Sequence, residues 1–151
     1  MKRSFFLVIG AGLVLALLLA RADGQGASFP YKVSGAFVRA TPAKISAGYM
    51  TIKNPTKKAD ALVRVTAPWA ARTELHTIEK DSNGILTMKE VKAMKLPAKG
   101  ALALKNGGYH IMFYGVKKPL VEETKVPVTL YFKSGLKTTL EVIVKPITYK
   151  P

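Results

Sequence analysis

Tyr109-His110-Ile111-Met112-Phe113-Tyr114 is the stretch on which the reading of this chain turns. Its residues are aromatic, β-branched or otherwise at ease on a pleated surface, which predicts a β-strand. Side chains alternate faces along a strand, so Tyr109, Ile111 and Phe113 share one side and are expected in a core. His110 and Met112 share the other side, two positions or roughly 7 Å apart along the backbone. An imidazole and a thioether so placed can converge on one small cation. A thioether is a weak, soft ligand, and the ion that suits it together with imidazole is copper, above all Cu(I).

The chain has 151 residues, enough for one domain with a sizeable core. Its beginning reads as a targeting segment. Lys2-Arg3 form a basic start, Phe5 to Ala20 is an unbroken apolar run, and Ala20-Arg21-Ala22 has the small-x-small pattern of a signal-peptidase site. Residues 1–22 are therefore expected to be a signal peptide, either cleaved before Asp23 or retained as a membrane anchor. Either way the domain lies outside the cytoplasm, and the periplasm is the expected compartment.

There are no cysteines, which excludes both a disulfide framework and a thiolate metal site. The absence of a lipid-attachment cysteine also argues against a lipoprotein. The formal charge is +15, and losing Lys2, Arg3 and Arg21 lowers it by three to +12. A surface so basic attracts polyanions or an acidic protein face, and nucleic acid is not expected outside the cytoplasm. The lysines are scattered, which also fits a merely solvated basic surface.

Residues 23–32 are polar and carry Gly and Pro, predicting a flexible lead-in to a domain over 33–147. Short β-like runs then follow one another: Val33–Ala40, Ala47–Lys53, Ala61–Thr66, Arg72–Glu79, Ile85–Val91 and Leu102–Lys105. Within Ala61–Thr66, Leu62, Arg64 and Thr66 alternate with Val63 and Val65. Lys80 to Gly84 reads as a hairpin turn, and Asn106-Gly107-Gly108 as the turn before Tyr109. Val126–Lys133 and Thr138–Lys145 form a last hairpin about Ser134-Gly135, with Val128, Leu130 and Phe132 opposite Leu140, Val142 and Val144. No sustained helical spacing is present, and many short strands with frequent turns predict an all-β sandwich or barrel.

Past the signal segment the chain holds two histidines, His76 and His110, and four methionines, Met50, Met88, Met94 and Met112. The hairpin after Glu79 brings Met88 back beside the strand of His76. His76, Met88, His110 and Met112 thus form a four-ligand set drawn from three strands. Two neutral imidazoles and two thioethers suit a monovalent soft ion and leave it exchangeable. Met50 reads as core; Met94 is core, surface or an additional ligand. Trp69 either shields the metal or packs in the core.

The pattern His76-Thr77, ten residues, Met88, twenty-one residues, His110-Ile111-Met112 resembles the signature of the periplasmic copper chaperones called PCuAC, formerly a domain of unknown function. Val38-Arg39-Ala40-Thr41-Pro42, Ala47-Gly48-Tyr49-Met50, Thr73-Glu74-Leu75-His76, Leu96-Pro97-Ala98 and Val126-Pro127-Val128-Thr129-Leu130 extend the resemblance to roughly residues 35–145. Thr77 stands where some members carry a further Met. The resemblance implies a cupredoxin-like Greek-key sandwich that binds Cu(I). It also implies copper supply to the binuclear copper centre of cytochrome c oxidase, on its subunit II, alongside a Sco-type thioredoxin-like protein.

No paired carboxylates and no nucleophile with its base stand out, so a monomeric metal carrier, not an enzyme, is expected. Such a carrier would pass copper by ligand exchange. Periplasmic copper storage or resistance, and a metal-free basic interaction module, are the alternatives the residues leave open.

Overall fold

The structure, a computed structural model, describes residues 28–150. The expected signal peptide and the first five residues of the lead-in lie outside the described residues. The remainder of the lead-in is docked on the domain: the Tyr31 ring packs 4.9 Å from Phe132 and 5.3 Å from Phe29.

Ten strands follow, and no helix occurs among the described residues. They are β1 (Lys32–Arg39), β2 (Ile45–Lys53), β3 (Asp60–Thr66), β4 (Arg72–Lys80), β5 (Leu86–Glu90), β6 (Met94–Leu96), β7 (Ala101–Leu104), β8 (His110–Tyr114), β9 (Lys125–Phe132) and β10 (Lys137–Lys145). All are joined in one sheet of order β5-β4-β8-β2-β1-β10-β9-β3-β6, with β7 also pairing β2. The sheet folds over itself as an open sandwich in which β3 packs near β4. Its one parallel pair is β1 with β10 (Phe37 opposite Ile143); the rest are antiparallel.

Alternation decides which side of each strand enters the core. In β8, Ile111 and Phe113 are fully buried, and Leu75 of β4 sits directly opposite Ile111. Burying a side chain of this size contributes about 1.5–3 kcal/mol. Gly48 of β2 faces Ile111 and makes room for the Phe113 ring; a Cβ there would stand 2.8 Å from Phe113 Cε2. Tyr109, expected beside Ile111 and Phe113, instead precedes the strand and is 36% exposed. The Asn106-Gly107-Gly108 turn claims it: the Lys105 amide donates to the Tyr109 carbonyl, and Gly107 takes φ +78°.

Three further details differ from the sequence reading. The strict alternation in Ala61–Thr66 is broken by a bulge between Leu62 and Arg64, which turns both Leu62 and Val65 inward. In the last hairpin the partners are Val128 with Leu140, Leu130 with Thr138 and Val126 with Val142, because the turn sets the pairing. The short strand β6 has no counterpart in the sequence-based assignment; it pairs with β3 along Asp60–Leu62.

Candidate metal site

β5, β4 and β8 lie side by side, and their registers place the candidate ligands on one face. His76 stands directly opposite His110 across β4 and β8, and opposite Glu90 across β4 and β5. Because side chains repeat every two residues, Glu74, His76 and Ile78 share this outer face with Met88, Glu90, His110 and Met112. Leu75 and Ile111 point the other way, into the core.

The two imidazoles are neighbours. Their ring centroids are 5.7 Å apart, and both residues are buried, at 7% and 3% exposure. Metal–imidazole bonds of about 2.0–2.1 Å would place two rings sharing an ion with centroids roughly 5–6.5 Å apart, so the spacing fits a common ion.

Each ring is fixed through one nitrogen. His110 Nδ1 donates to the Gly108 carbonyl at 2.8 Å, an acceptor that forces the proton onto Nδ1 and leaves Nε2 as a lone pair. His76 Nε2 lies 2.8 Å from Glu74 Oε2 and donates to that carboxylate, which leaves Nδ1 as a lone pair. His76 Nδ1 and His110 Nε2 are the buried side-chain polar atoms with no hydrogen-bond partner among the described residues. Two orphaned lone pairs on adjacent buried rings are costly unless something binds them.

Glu74 is itself held by Arg72, whose guanidinium also lies 4.5 Å from the Tyr114 ring centroid. Burial pushes the His76 imidazole below its ordinary pKa; Glu90 opposes that shift and Arg72 adds to it. The net shift favours the neutral ring, the form able to ligate.

The two thioethers flank the histidines diagonally. Met112 lies opposite Glu74, one row from His76 toward the start of β4, and is half-buried. Met88 lies opposite Ile78, one row in the other direction, and is 52% exposed. Diagonal neighbours on a sheet have Cα atoms roughly 7–8 Å apart, within reach of a long flexible side chain. His76 is thus the hub: His110 directly beside it, and one methionine on each side.

The remaining candidates are elsewhere. Met50 and Met94 are both buried in the core, Met94 with no exposure at all, on β6 at the far edge of the sheet. Trp69 packs on the core ring of Phe113 at 4.5 Å and donates from Nε1 to the Pro127 carbonyl, on the opposite side of β8 from His110. Thr77 falls on the core side of β4, as alternation requires. Glu74 was not singled out by sequence, although its spacing of two from His76 already placed both on one face.

This arrangement of strands is that of a PCuAC domain. The apo PCuAC domain from PmoF1 superposes with a TM-score of 0.67 at 23% identity, covering 78% of this chain and 94% of that one. The copper-bound PCuAC domain from PmoF2 gives 0.66 at 18% identity, over 78% and 93%. The Cu(I) form of DR1885 from Deinococcus radiodurans gives 0.62 at 32% identity, over 76% and 77%.

Residues 31–144 match the family described as "Putative lipoprotein LpqE-like". The "Putative lipoprotein Lxx21020" of Leifsonia xyli subsp. xyli is 37% identical over 116 residues, which cover 76% of this chain and 69% of the relative. The chain belongs to the LpqE-like family, of PCuAC type. Both descriptions are of lipoproteins, whereas this sequence contains no cysteine to carry a lipid thioether.

Proposed function

We propose that the protein is an exported Cu(I) carrier, with His76, His110, Met112 and Met88 as ligands. The observation that carries this is the pair of buried, partnerless nitrogens, His76 Nδ1 and His110 Nε2, on rings 5.7 Å apart. Two neutral nitrogens and two thioether sulfurs match the softness of a cuprous ion and add no charge to neutralise a divalent one. The copper-bound and Cu(I)-bound structures of PmoF2 and DR1885 support the same cargo.

The geometry suits transfer. The imidazoles are buried and oriented, while Met88 sits on an exposed edge strand and Met112 is half-open to solvent. Weak thioether bonds at the accessible side can be displaced one at a time by a recipient's stronger ligands, so copper passes without becoming free. The recipient we propose is the binuclear copper centre on subunit II of cytochrome c oxidase, in concert with a Sco-type thioredoxin-like protein. No bond-making step is required of the protein itself, and it acts as a chaperone in the periplasm.

A Cu(I) competition titration tests the site. His76→Ala and His110→Ala should each weaken binding at least about tenfold, or 1.4 kcal/mol, whereas Met50→Leu should leave it unchanged. Equal affinity across all three would remove the assignment. Transfer to a purified subunit II domain, followed by the recipient's own absorption, tests delivery; retention of copper there would favour storage.

A further inference from the structure

Next to the histidine pair, on the same outer face, lies a second feature that the copper site does not use. Phe37 and Tyr49 form the floor of a pocket of about 240 Å³ walled by Arg39, Lys105, Asn106 and Lys150. The floor is closely packed: both aromatic residues are buried and their ring centroids are 5.1 Å apart. Arg39 is held over it, with its guanidinium carbon 5.3 Å from the Tyr49 centroid and 5.9 Å from that of Phe37. The C-terminal segment fixes this position, since Arg39 donates to the carbonyls of Ile147 and Tyr149 while the Tyr149 ring packs edge-on to Phe37 at 4.9 Å.

Three cations thus line one small cavity with no acidic residue in its wall. Arg39, Lys105 and Lys150 form no ion pair among the described residues. A positioned guanidinium with two ammonium groups at its rim is the donor set that recognises a carboxylate. Tyr49 joins the pocket to the metal face, its ring 6.4 Å from that of His110.

The geometry points to a docking site for an acidic segment of a partner protein, one Asp or Glu side chain seated between Arg39, Lys105 and Lys150. A protein segment, more than a free anion, suits a pocket opening onto a surface of net charge +12 past the signal segment, where flanking carboxylates also gain. Resting on the copper reading, the site would hold a recipient with its ligands beside His110.

The test uses the metal-free chain from Asp23, which carries all ten strands, titrated with hexaglutamate and followed by amide NMR at low salt. Shifts should centre on Arg39, Tyr49, Lys105, Asn106 and Lys150. Lys105→Glu with Lys150→Glu should weaken binding roughly tenfold, and Lys57→Glu with Lys58→Glu, in the β2–β3 turn, less than about twofold. An unchanged amide spectrum outside the substituted segments confirms that each variant is folded; Lys150→Glu alone, at an exposed residue beyond β10, provides the same comparison with least disturbance. Equal loss in both double variants would overturn the site in favour of a diffuse basic surface. Acetate or phosphate binding as tightly as hexaglutamate, with the same shifts, would overturn the protein partner in favour of a small anion. Anionic phosphatidylglycerol vesicles competing more strongly than hexaglutamate would overturn it in favour of a membrane. Because no copper is present, failure here leaves the metal reading standing, and loss of the metal reading leaves this pocket to be judged on its own.

Discussion

Glu74 Oε2 accepts a hydrogen bond from Nε2–H of His76 at 2.8 Å, so a carboxylate fixes which imidazole nitrogen is left for a metal. Second partners of this kind orient a ligating histidine and raise its basicity, and their loss typically costs about 10–100-fold in metal affinity. Glu74→Ala should weaken Cu(I) binding by that factor, read by competition titration. Glu74→Gln keeps an acceptor oxygen and should lose less. If Glu74→Ala binds as the parent does while Arg72 is left without its carboxylate, the tautomer of His76 is set by something else.

Met88 and Met112 flank His76 on opposite sides, but only Met88 lies on a strand whose residues are all exposed. Exchanging its thioether for an alkyl group of similar volume therefore removes chemistry without removing packing. Met88→Leu should change unfolding stability by less than about 0.5 kcal/mol. Its Cu(I) affinity should nevertheless fall roughly tenfold, with the number of sulfur neighbours seen by X-ray absorption reduced by one. Met112→Leu should lower affinity likewise. An unchanged sulfur count in Met88→Leu would leave Met88 as an exposed residue of the hairpin and nothing more.

Imidazole ligates only when neutral, whereas a thioether does not titrate, so acid should strip copper through the histidines alone. Burial lowers the His76 pKa, so in the folded chain this ring takes up its proton below the ordinary value of about 6.5. The unfolded chain protonates it first. His76's contribution to stability is consequently complete above about pH 6.5 and declines as pH falls toward the folded-state value. Cu(I) affinity should be level from about pH 8 through 6.5 and fall only once pH drops past the depressed value of His76. An acid fall in affinity that is identical in the parent and in His76→Ala would mean that the His76 ring does not bind the ion.

The residues disclose the faces of the strands more readily than the strands' neighbours. His110 and Met112 on one side of β8, with Ile111 and Phe113 on the other, follow from the period of two and needed no coordinates. That β4 lies against β8, bringing His76 opposite His110, is a pairing between segments more than thirty residues apart, and no local rule predicts it. The hairpin turn explains a subtler point. Asp81 Oδ1 accepts the amides of Asn83 and Ile85, and Gly84 takes φ +80°, so the turn closes with Lys80 opposite Leu86. That register puts Glu90, not Met88, straight across from His76. Turn chemistry, not ligand spacing, therefore sets how far Met88 would have to reach to share an ion with His76. The β3 bulge and the three-residue β6 escaped because both are shorter than the window over which alternation can be recognised.

Asp60 ties the start of the domain to its last hairpin. Its carboxylate accepts from the Tyr31 hydroxyl at 2.6 Å, the Ser134 hydroxyl at 2.5 Å, the Ser134 amide at 3.0 Å and the Ala61 amide at 2.8 Å. Burial alone would raise its pKa, but these four donors outweigh it and hold the carboxyl below the ordinary value. The same contact, with burial as the larger cause, pushes the Tyr31 hydroxyl up to about 12. The signs are opposite. Asp60's stabilisation is complete above the unfolded carboxyl value of about 3.9 and is lost as pH falls, whereas Tyr31's is complete below about 10 and is lost as pH rises. Tyr31→Phe removes one donor and should cost about 1 kcal/mol at neutral pH; Asp60→Ala strands several and should cost about 2–3 kcal/mol. Denaturant unfolding of the metal-free protein measures both. In Tyr31→Phe the loss of stability above pH 10 should shrink relative to the parent, while the fall below pH 4 persists through the Ser134 and Ala61 bonds that remain. An identical alkaline fall in the variant would place the responsible group elsewhere than Tyr31.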